Sequence, residues 1–511
     1  MKFLLSILIL GLSSLGFAQN STWSGAISNI IHSNCSSCHH DGGIAPFELM
    51  TYEDVTSFSE EIEHVVTERE MPPWPADPNY MHFANEAYLD DAEIEALQWW
   101  VQNDMPIGDE NDIPPLPVFP DEGSLLETID FTLEIDPYTL QSNSDQFRWF
   151  VFENPYEQDI FISKLEVIPG LEDVVHHADL FYDLTGASLD LDNQDPLSGF
   201  GGETGYPVNS FYINAWQPGG NIAEYPDNWG IRVPPNADLV IEIHYGPGGM
   251  GQIDETKMNL QFLVDPINPR EVNASWLMGH NEPTLIDGPL FIPANEEAVF
   301  HQVTAPLEND LSVISICPHM HFIGKSYRVW YTDPYGEDHP LIYIPRWDLH
   351  WQKYYVFQTI KHIPAGSILK SQGVYDNTSA NHDNPFDPPQ DVSLGLGTYD
   401  EMFLCYFIYA NYEEGDENII MDENYTHVTN LKDTDIQPNI FPNPAADFIT
   451  VQLEDELTSW RIFSLDGKEI LYGDGTGILT TIDVSSISEK GIYSILLESK
   501  TETRVSRFVL E

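Results

Sequence analysis

Basic residues are scarce. The 511-residue chain has 20 Lys and Arg against 82 Asp and Glu, a formal net charge of −62. Phosphate backbones are gripped by Lys and Arg, so this balance argues against nucleic acid as a partner. The acidity reads as a heavily solvated surface. Cysteine is scarce too, with four residues in all, too few for a disulfide-built fold. Cys317 and Cys405 would be able to pair in an oxidising compartment, if their positions allow it. Beyond the first residues no apolar run is long enough for a transmembrane helix, so the mature chain is expected to be soluble. Aromatic residues, at 12%, supply ample core material and exclude a disordered acidic chain.

The first residues read as an export signal. Lys2 gives a positive start, Phe3 to Leu15 is a short apolar run, and Gly16-Phe17-Ala18 ends it with small residues. Cleavage is expected after Ala18, making residues 1–18 a signal peptide. No cysteine follows the cut, so a lipid anchor is not expected there.

Cys35-Ser36-Ser37-Cys38-His39 has the haem c attachment pattern. The two thiols can form thioethers to the haem vinyls, and the adjacent imidazole is then placed as proximal iron ligand. A zinc half-site is the competing reading, but no second CxxC is present. The sixth ligand is expected from Met71 in Arg69-Glu70-Met71-Pro72-Pro73-Trp74, where the prolines force an extended loop. Met81, Met105, His64 and His82 are alternatives.

Three textures follow one another along the chain. Residues 19–108 look small and helical, with helices expected over Ser24–His32, Tyr52–Glu70 and, capped by Asp90 or Asp91, Ala92–Asn103. Their order resembles a class I cytochrome c. Residues 109–123, rich in Pro and acid, read as a linker. Short alternating runs such as Phe147–Phe152, Ile160–Val167, Leu239–His244, Leu311–Cys317 and Met402–Tyr409 then indicate antiparallel β-sandwiches. The length suits two, expected over 124–275 and 276–430, in a multidomain, mainly β chain. Residues 434–511 suggest a small C-terminal β-sandwich. The opening Asn439-Ile440-Phe441-Pro442-Asn443-Pro444-Ala445, with the later "RIFSLDGKEI" and "KGIYSILLES", resembles the sorting domain of type IX secretion cargo. That resemblance implies passage through the periplasm to the cell surface or outside, with the type IX machinery as a partner.

Most of the 17 histidines look incidental. His280, His301, His339, His350, His362, His382 and His427 stand singly. His176-His177 is different, although neighbours on a regular strand face opposite ways and would share an ion only at a strand end or bulge. His244, ending an apolar strand, would complete a trio of imidazoles. In His319-Met320-His321 a spacing of two places both rings on one strand face. Two imidazoles with a thioether, Met402 being the candidate, would favour copper over zinc.

The order His176-His177, His244-Tyr245-Gly246, His319-Met320-His321-Phe322-Ile323-Gly324-Lys325 and Asp400-Glu401-Met402 resembles the copper type II, ascorbate-dependent monooxygenases. These include peptidylglycine and dopamine monooxygenases. The stretch from Gly42 to Trp74 resembles cytochrome domains fused to copper monooxygenases. The resemblance implies two jelly-roll domains, each holding one copper, across a solvent cleft. By position, His176, His177 and His244 would hold the electron-transfer copper; His319, His321 and Met402 would hold the copper that meets oxygen and substrate. The peptide-binding arginine of the family is replaced by Cys317, and its asparagine by Leu404, while Tyr406 is retained. A thiol makes no bidentate carboxylate clamp, so peptide amidation is not implied.

The expected activity is hydroxylation of an activated C–H bond with O₂, on a small-molecule or peptide-like substrate. The implied cofactors are two copper ions and one haem c. The fused haem is expected to feed electrons to the first copper, replacing or supplementing an external reductant such as ascorbate. A non-catalytic copper and electron carrier, or an adhesin with incidental histidines, are the competing classes.

Overall fold

The computed structural model describes residues 21–422, except 44, 120–123, 127, 172, 203–209, 219 and 221. Within 439–510 it describes all but 442–444, 446–447, 464–468, 486, 488–489 and 500–502. The expected signal peptide, His427, the end of the linker and residues 434–438 lie outside the described residues. The chain divides into two compact units, Met1–Tyr425 and Thr426–Glu511. It is mainly β, with several sheets and a few helices.

The helices come first. Trp23–Ile27 runs into Ser28–Asn34; Tyr52–Ser57, Ser59–Thr67 and Asp91–Gln102 follow. Asp90 caps the last of these: its carboxylate accepts from Glu93 N at 2.8 Å, and the Glu93 carboxylate accepts from Asp90 N at 2.9 Å. This reciprocal pair satisfies two donors that the helix start would otherwise leave open. The apolar faces meet around Trp23, Ile27, Ile31, Leu97 and Trp100.

The next residues build two pairs of packed sheets. In the first pair, one sheet runs in the order Phe131–Glu134, Lys257–Phe262, Ile160–Ile168, Trp229–Val233, Arg270–Glu271. The other runs Phe200–Gly201, Gln146–Phe152, Asp238–Tyr245, Val175–Asp183, Ser210–Trp216. In the second pair, Asn273–Met278, Leu404–Asn411, Leu311–His319 and Tyr355–Ile363 form one sheet. Glu297–Val303, Ile368–Asp376, Gly324–Thr332 and Asp338–Ile344 form the other. The boundary expected at 275/276 falls inside the strand Asn273–Met278; the change of sheet comes at Val272.

The two pairs share apolar packing. Ile314, Ile360 and Ile408 of the second pair belong to the same buried cluster as Leu180, Ile241 and Trp216 of the first. The stretch expected to be purely cytochrome also reaches outward. Ala76 and Phe83 are buried among Tyr355, Phe357 and Phe407 in the core of the second pair, with Ala84 N donating to Val356 O at 2.7 Å. The aromatic side chains at 74 and 83 therefore bury themselves in a β core, not among the helices.

The unit Thr426–Glu511 holds a five-stranded sheet built from Asn439–Phe441, Phe448–Phe463, Glu469–Asp483, Gly491–Ser499 and Thr503–Leu510. Ile449, Val451, Ile462, Ile495 and Leu497 form its buried face.

Candidate metal centres

Adjacent histidines converge because the strand pairing slips. His177 pairs with His244, but the next partner of Tyr245 is Val175, so His176 is the extra residue of a β-bulge. The bulge turns His176 to the side already used by His177. One donor nitrogen from each of His176, His177 and His244 lies within 4.8 Å of the others. The sequence requirement for a bulge is thus met in the backbone.

Neighbouring groups decide which nitrogens are free. His244 Nε2 donates to Asp145 Oδ1 at 3.0 Å, and its buried Nδ1 has no hydrogen-bond partner among the described residues. His177 Nε2 faces Glu242 Oε2 at 3.5 Å, leaving Nδ1 towards His176 Nδ1 at 3.3 Å. An unpaired buried imidazole nitrogen costs stability unless it binds something. A carboxylate behind each ring is the usual support of a metal-ligating histidine. The donor set fits a copper ion.

Electrostatics keep most of this trio neutral. Burial holds His176 well below the ordinary imidazole range, and His177 adds to the effect. Burial also lowers His244, against the opposing pull of Asp145. For His177 burial pulls down, but Glu242 and Asp179 outweigh it and the net shift is upward. Asp179 stands opposite Glu242 across the paired strands, and burial pushes its carboxyl up to about 7.

The second set stands on the facing sheet. His319 ends the strand Leu311–His319, while His321 lies just beyond it. The expected regular strand face therefore carries only the first ring. The turn after His319 brings the two ring centroids to 5.0 Å, with planes at 87°. His319 Nδ1 donates to Gln352 Oε1 at 2.6 Å, and His321 Nδ1 donates to the Asp400 carbonyl at 3.1 Å. Each ring is left with Nε2 as its ligand atom. Burial lowers His319 well below its usual range and His321 to about 4, so both are neutral donors at pH 7. Glu401 fastens this turn to the methionine: its carboxylate accepts from the N–H groups of His321, Ile323 and Met402 at 2.9, 3.0 and 3.2 Å. Burial pushes Glu401 up to about 8 even so.

Both sets line one cleft, open in part to solvent. His176, His177 and His244 come from strands of one sheet; His319 ends a strand of another, with His321 and Met402 just outside its strands. Trp149, Tyr212, Tyr354 and Tyr406 add aromatic surface between them. Two contacts close the walls together: Asp145 Oδ2 accepts from Thr398 Oγ1 at 2.7 Å, and the hydroxyls of Tyr212 and Tyr354 meet at 2.6 Å.

Cys317 also lines the cleft. It pairs in register with Tyr406, whereas Cys405 pairs with Pro318. One residue out of step means opposite faces of the sheet, so the disulfide weighed from sequence does not form and both thiols are free.

The haem motif forms a compact turn after Ser28–Asn34. Cys38 N and His39 N both donate to Cys35 O, at 3.1 and 3.0 Å. His39 Nδ1 donates to Phe47 O at 3.0 Å, which leaves Nε2 as the nitrogen a metal would take. Any Cβ at Gly43 would collide with the Cys38 carbonyl. Burial pushes the Cys35 thiol up to about 12. Two thiols and one oriented imidazole fit a haem c. Met71 is half-buried, with its N–H on Val65 O at 3.2 Å. Among its competitors, Met81 packs on the second β core, Met105 on the helical core, and His82 pairs with Glu86.

Several residues that serve these sites carry no sequence signal. Asp145 and Gln352 are single polar residues with distant partners. His301, His339, His350 and His362 each pair with a nearby carboxylate, as suits incidental histidines. His280 departs from that pattern, with a buried Nδ1 lacking a partner among the described residues and an electrostatic effect on His319.

Residues 439–511 match the family described as secretion system C-terminal sorting domain. This tail is a type IX export signal. It directs the protein to the cell surface. No cytochrome c or copper monooxygenase family matches the remainder, and no curated protein matches the chain. Among solved structures, N-glycanase F (PNGase F) is 10% identical over 55% of this chain and 96% of its own, with a TM-score of 0.24. A second structure of PNGase F, described as a glycosylasparaginase from Flavobacterium meningosepticum, is 9% identical over 55% and 89%, with a TM-score of 0.20. PNGF-II is 9% identical over 58% and 72%, with a TM-score of 0.23. Scores this low define neither fold nor activity.

Proposed function

We propose that this exported chain is a copper-dependent monooxygenase that hydroxylates an activated C–H bond with O₂, with electrons supplied through its fused haem c. The observation that carries the reading is a pair of mostly neutral donor sets lining one cleft, most of their rings held by a hydrogen bond that leaves a single nitrogen free.

Bound copper would supply one-electron redox chemistry and activation of O₂. The protein's own part is positional. Asp145 and Glu242 hold the rings of His244 and His177 with Nδ1 inward. Gln352 and the Asp400 carbonyl hold His319 and His321 with Nε2 inward. Met402 brings a soft thioether to that wall, which favours the reduced ion. The Asp179 carboxyl, pushed up to about 7, can hold a proton beside the first set at neutral pH.

The walls also limit the substrate. None of the described lining residues is Lys or Arg, and Asp179 and Glu242 are acidic. Aromatic surfaces at Trp149, Tyr212, Tyr354 and Tyr406 dominate the remainder. This chemistry suits a neutral or cationic substrate with an apolar body and disfavours a free carboxylate.

Copper-loaded protein incubated with labelled O₂ and candidate substrates should yield product carrying one labelled oxygen, read by mass spectrometry. Copper binding without oxygen uptake across such a panel would favour a carrier and overturn the enzymatic reading.

A further inference from the structure

The haem motif and the second histidine set meet at two consecutive buried residues, Gln352 and Lys353. Gln352 is 4% exposed. Its Oε1 accepts the His319 Nδ1 proton at 2.6 Å, and its Nε2 is anchored on Leu349 O at 3.0 Å. Lys353 is 8% exposed. Its ammonium donates to Pro73 O at 3.2 Å and lies 5.0 Å above the Trp74 ring. Pro73 and Trp74 closely follow Met71, the candidate sixth haem ligand. The same ammonium lies within electrostatic reach of Cys38, a candidate thioether position.

The surrounding contact is packed, not grazing. Tyr355 meets Trp74 edge-on at 5.4 Å and Phe83 at 5.2 Å. Phe83 pairs with Phe357 as an isolated bridge. The loop beyond the haem motif is thus fixed to the strand that begins three residues after Gln352. The first histidine set stands on a different sheet, on the strands Val175–Asp183 and Asp238–Tyr245.

Resting on the copper reading of the cleft, we propose that Gln352–Lys353 is the electron-input route, so that haem electrons reach the His319 site first and not the His176, His177 and His244 site. Tunnelling through bonded and hydrogen-bonded atoms is faster than through an open gap, and this route is continuous from the haem-side loop to a ligand ring. Each transfer moves one electron. Ferrous haem is oxidised to ferric, cupric ion at His319 is reduced to cuprous, and an external one-electron donor of the ascorbate type re-reduces the haem.

The test uses the full-length protein carrying haem and copper, without oxygen or substrate. The haem is pre-reduced with a limiting donor, and its reoxidation is followed by stopped-flow absorbance while Cu(II) loss is followed by freeze-quench EPR. Gln352→Leu should slow haem reoxidation by about tenfold or more, the scale on which supporting partners of ligating imidazoles act. Gln352→Glu, which keeps an acceptor for His319, should restore most of the rate. His319→Ala should abolish the fast phase, and His244→Ala should leave it intact. Haem bands and copper content measured on each variant separate a slowed electron from a lost site. A fast phase that survives Gln352→Leu and His319→Ala but vanishes in His244→Ala would overturn the route. Absence of any Cu(II) signal in the loaded wild-type protein would overturn the copper reading itself.

Discussion

The Asp145 carboxylate holds the Thr398 hydroxyl at 2.7 Å with one oxygen while its other oxygen takes the His244 Nε2 proton at 3.0 Å. One side chain therefore orients a ring of the first trio and fastens the loop that leads to Met402 on the second. Burial would raise its pKa, but the hydrogen bonds from His244 and Thr398 outweigh it and the net shift is downward. The carboxylate stays charged behind the ring.

Replacing this residue should separate the two centres. Asp145→Ala should weaken copper binding at the His176, His177 and His244 trio by roughly 10–100-fold, as loss of a carboxylate behind a ligating histidine does. Copper at His319, His321 and Met402 should be retained. Metal titration with EPR checks both; equal loss at the two sites would mean that Asp145 only holds the walls together.

Met402 tests the opposite wall. It is 9% exposed and lines the cleft. Met402→Ile keeps an apolar side chain of similar bulk but removes the sulfur. Hydroxylation should be abolished and the haem spectrum unchanged. A lost haem band would show that the sulfur serves the haem and not this wall.

Much of this was legible in the sequence, and the gaps have physical causes. Capping residues marked the Asp91–Gln102 helix to within one residue at each end. The convergence of His176 with His177 was legible only as a condition. It needed the slip between His244 and Tyr245, a property of strand pairing and not of any local pattern. Asp145 and Gln352 stand 99 and 33 positions from the imidazoles they hold. Single polar residues at such distances leave no periodic trace. The stretch around Trp74 and Phe83 runs on from the N-terminal helices, so its burial against Tyr355 depended on tertiary packing. Cys317 and Cys405 looked pairable until the register placed them on opposite faces.

Ile408 tests whether the two pairs of sheets fold together. It is 1% exposed and belongs to the cluster shared by both pairs. Ile408→Ala should cost about 2–5 kcal/mol, the range for deleting a buried aliphatic side chain. Because the cluster is shared, urea unfolding should shift as one transition. Two separated transitions would show that the pairs are independent.

Acid stability should depend on Asp195. Arg148, 5% exposed, donates to Asp195 Oδ2 at 3.0 Å and to the Ser198 and Gly199 carbonyls. The guanidinium hydrogen bond holds the Asp195 carboxyl down at about 2, from 3.8. A depressed carboxylate stabilises the fold above its unfolded pKa, and that contribution is lost as pH falls through the folded value. Asp195→Asn should therefore destabilise by up to about 1 kcal/mol at pH 7, solvent screening reducing what the shift alone would give. The difference from wild type should shrink between about pH 4 and pH 2, as measured by denaturant unfolding across that window.

Copper X-ray absorption on the purified full-length protein, with haem and copper counted on the same sample, is the most direct test of the central claim. Two coppers and one haem per chain are expected, with nitrogen donors at both metals and a sulfur scatterer at one that disappears in Met402→Ile. Substoichiometric copper, or copper bound by oxygen donors alone, would mean that the two facing histidine sets are not metal centres.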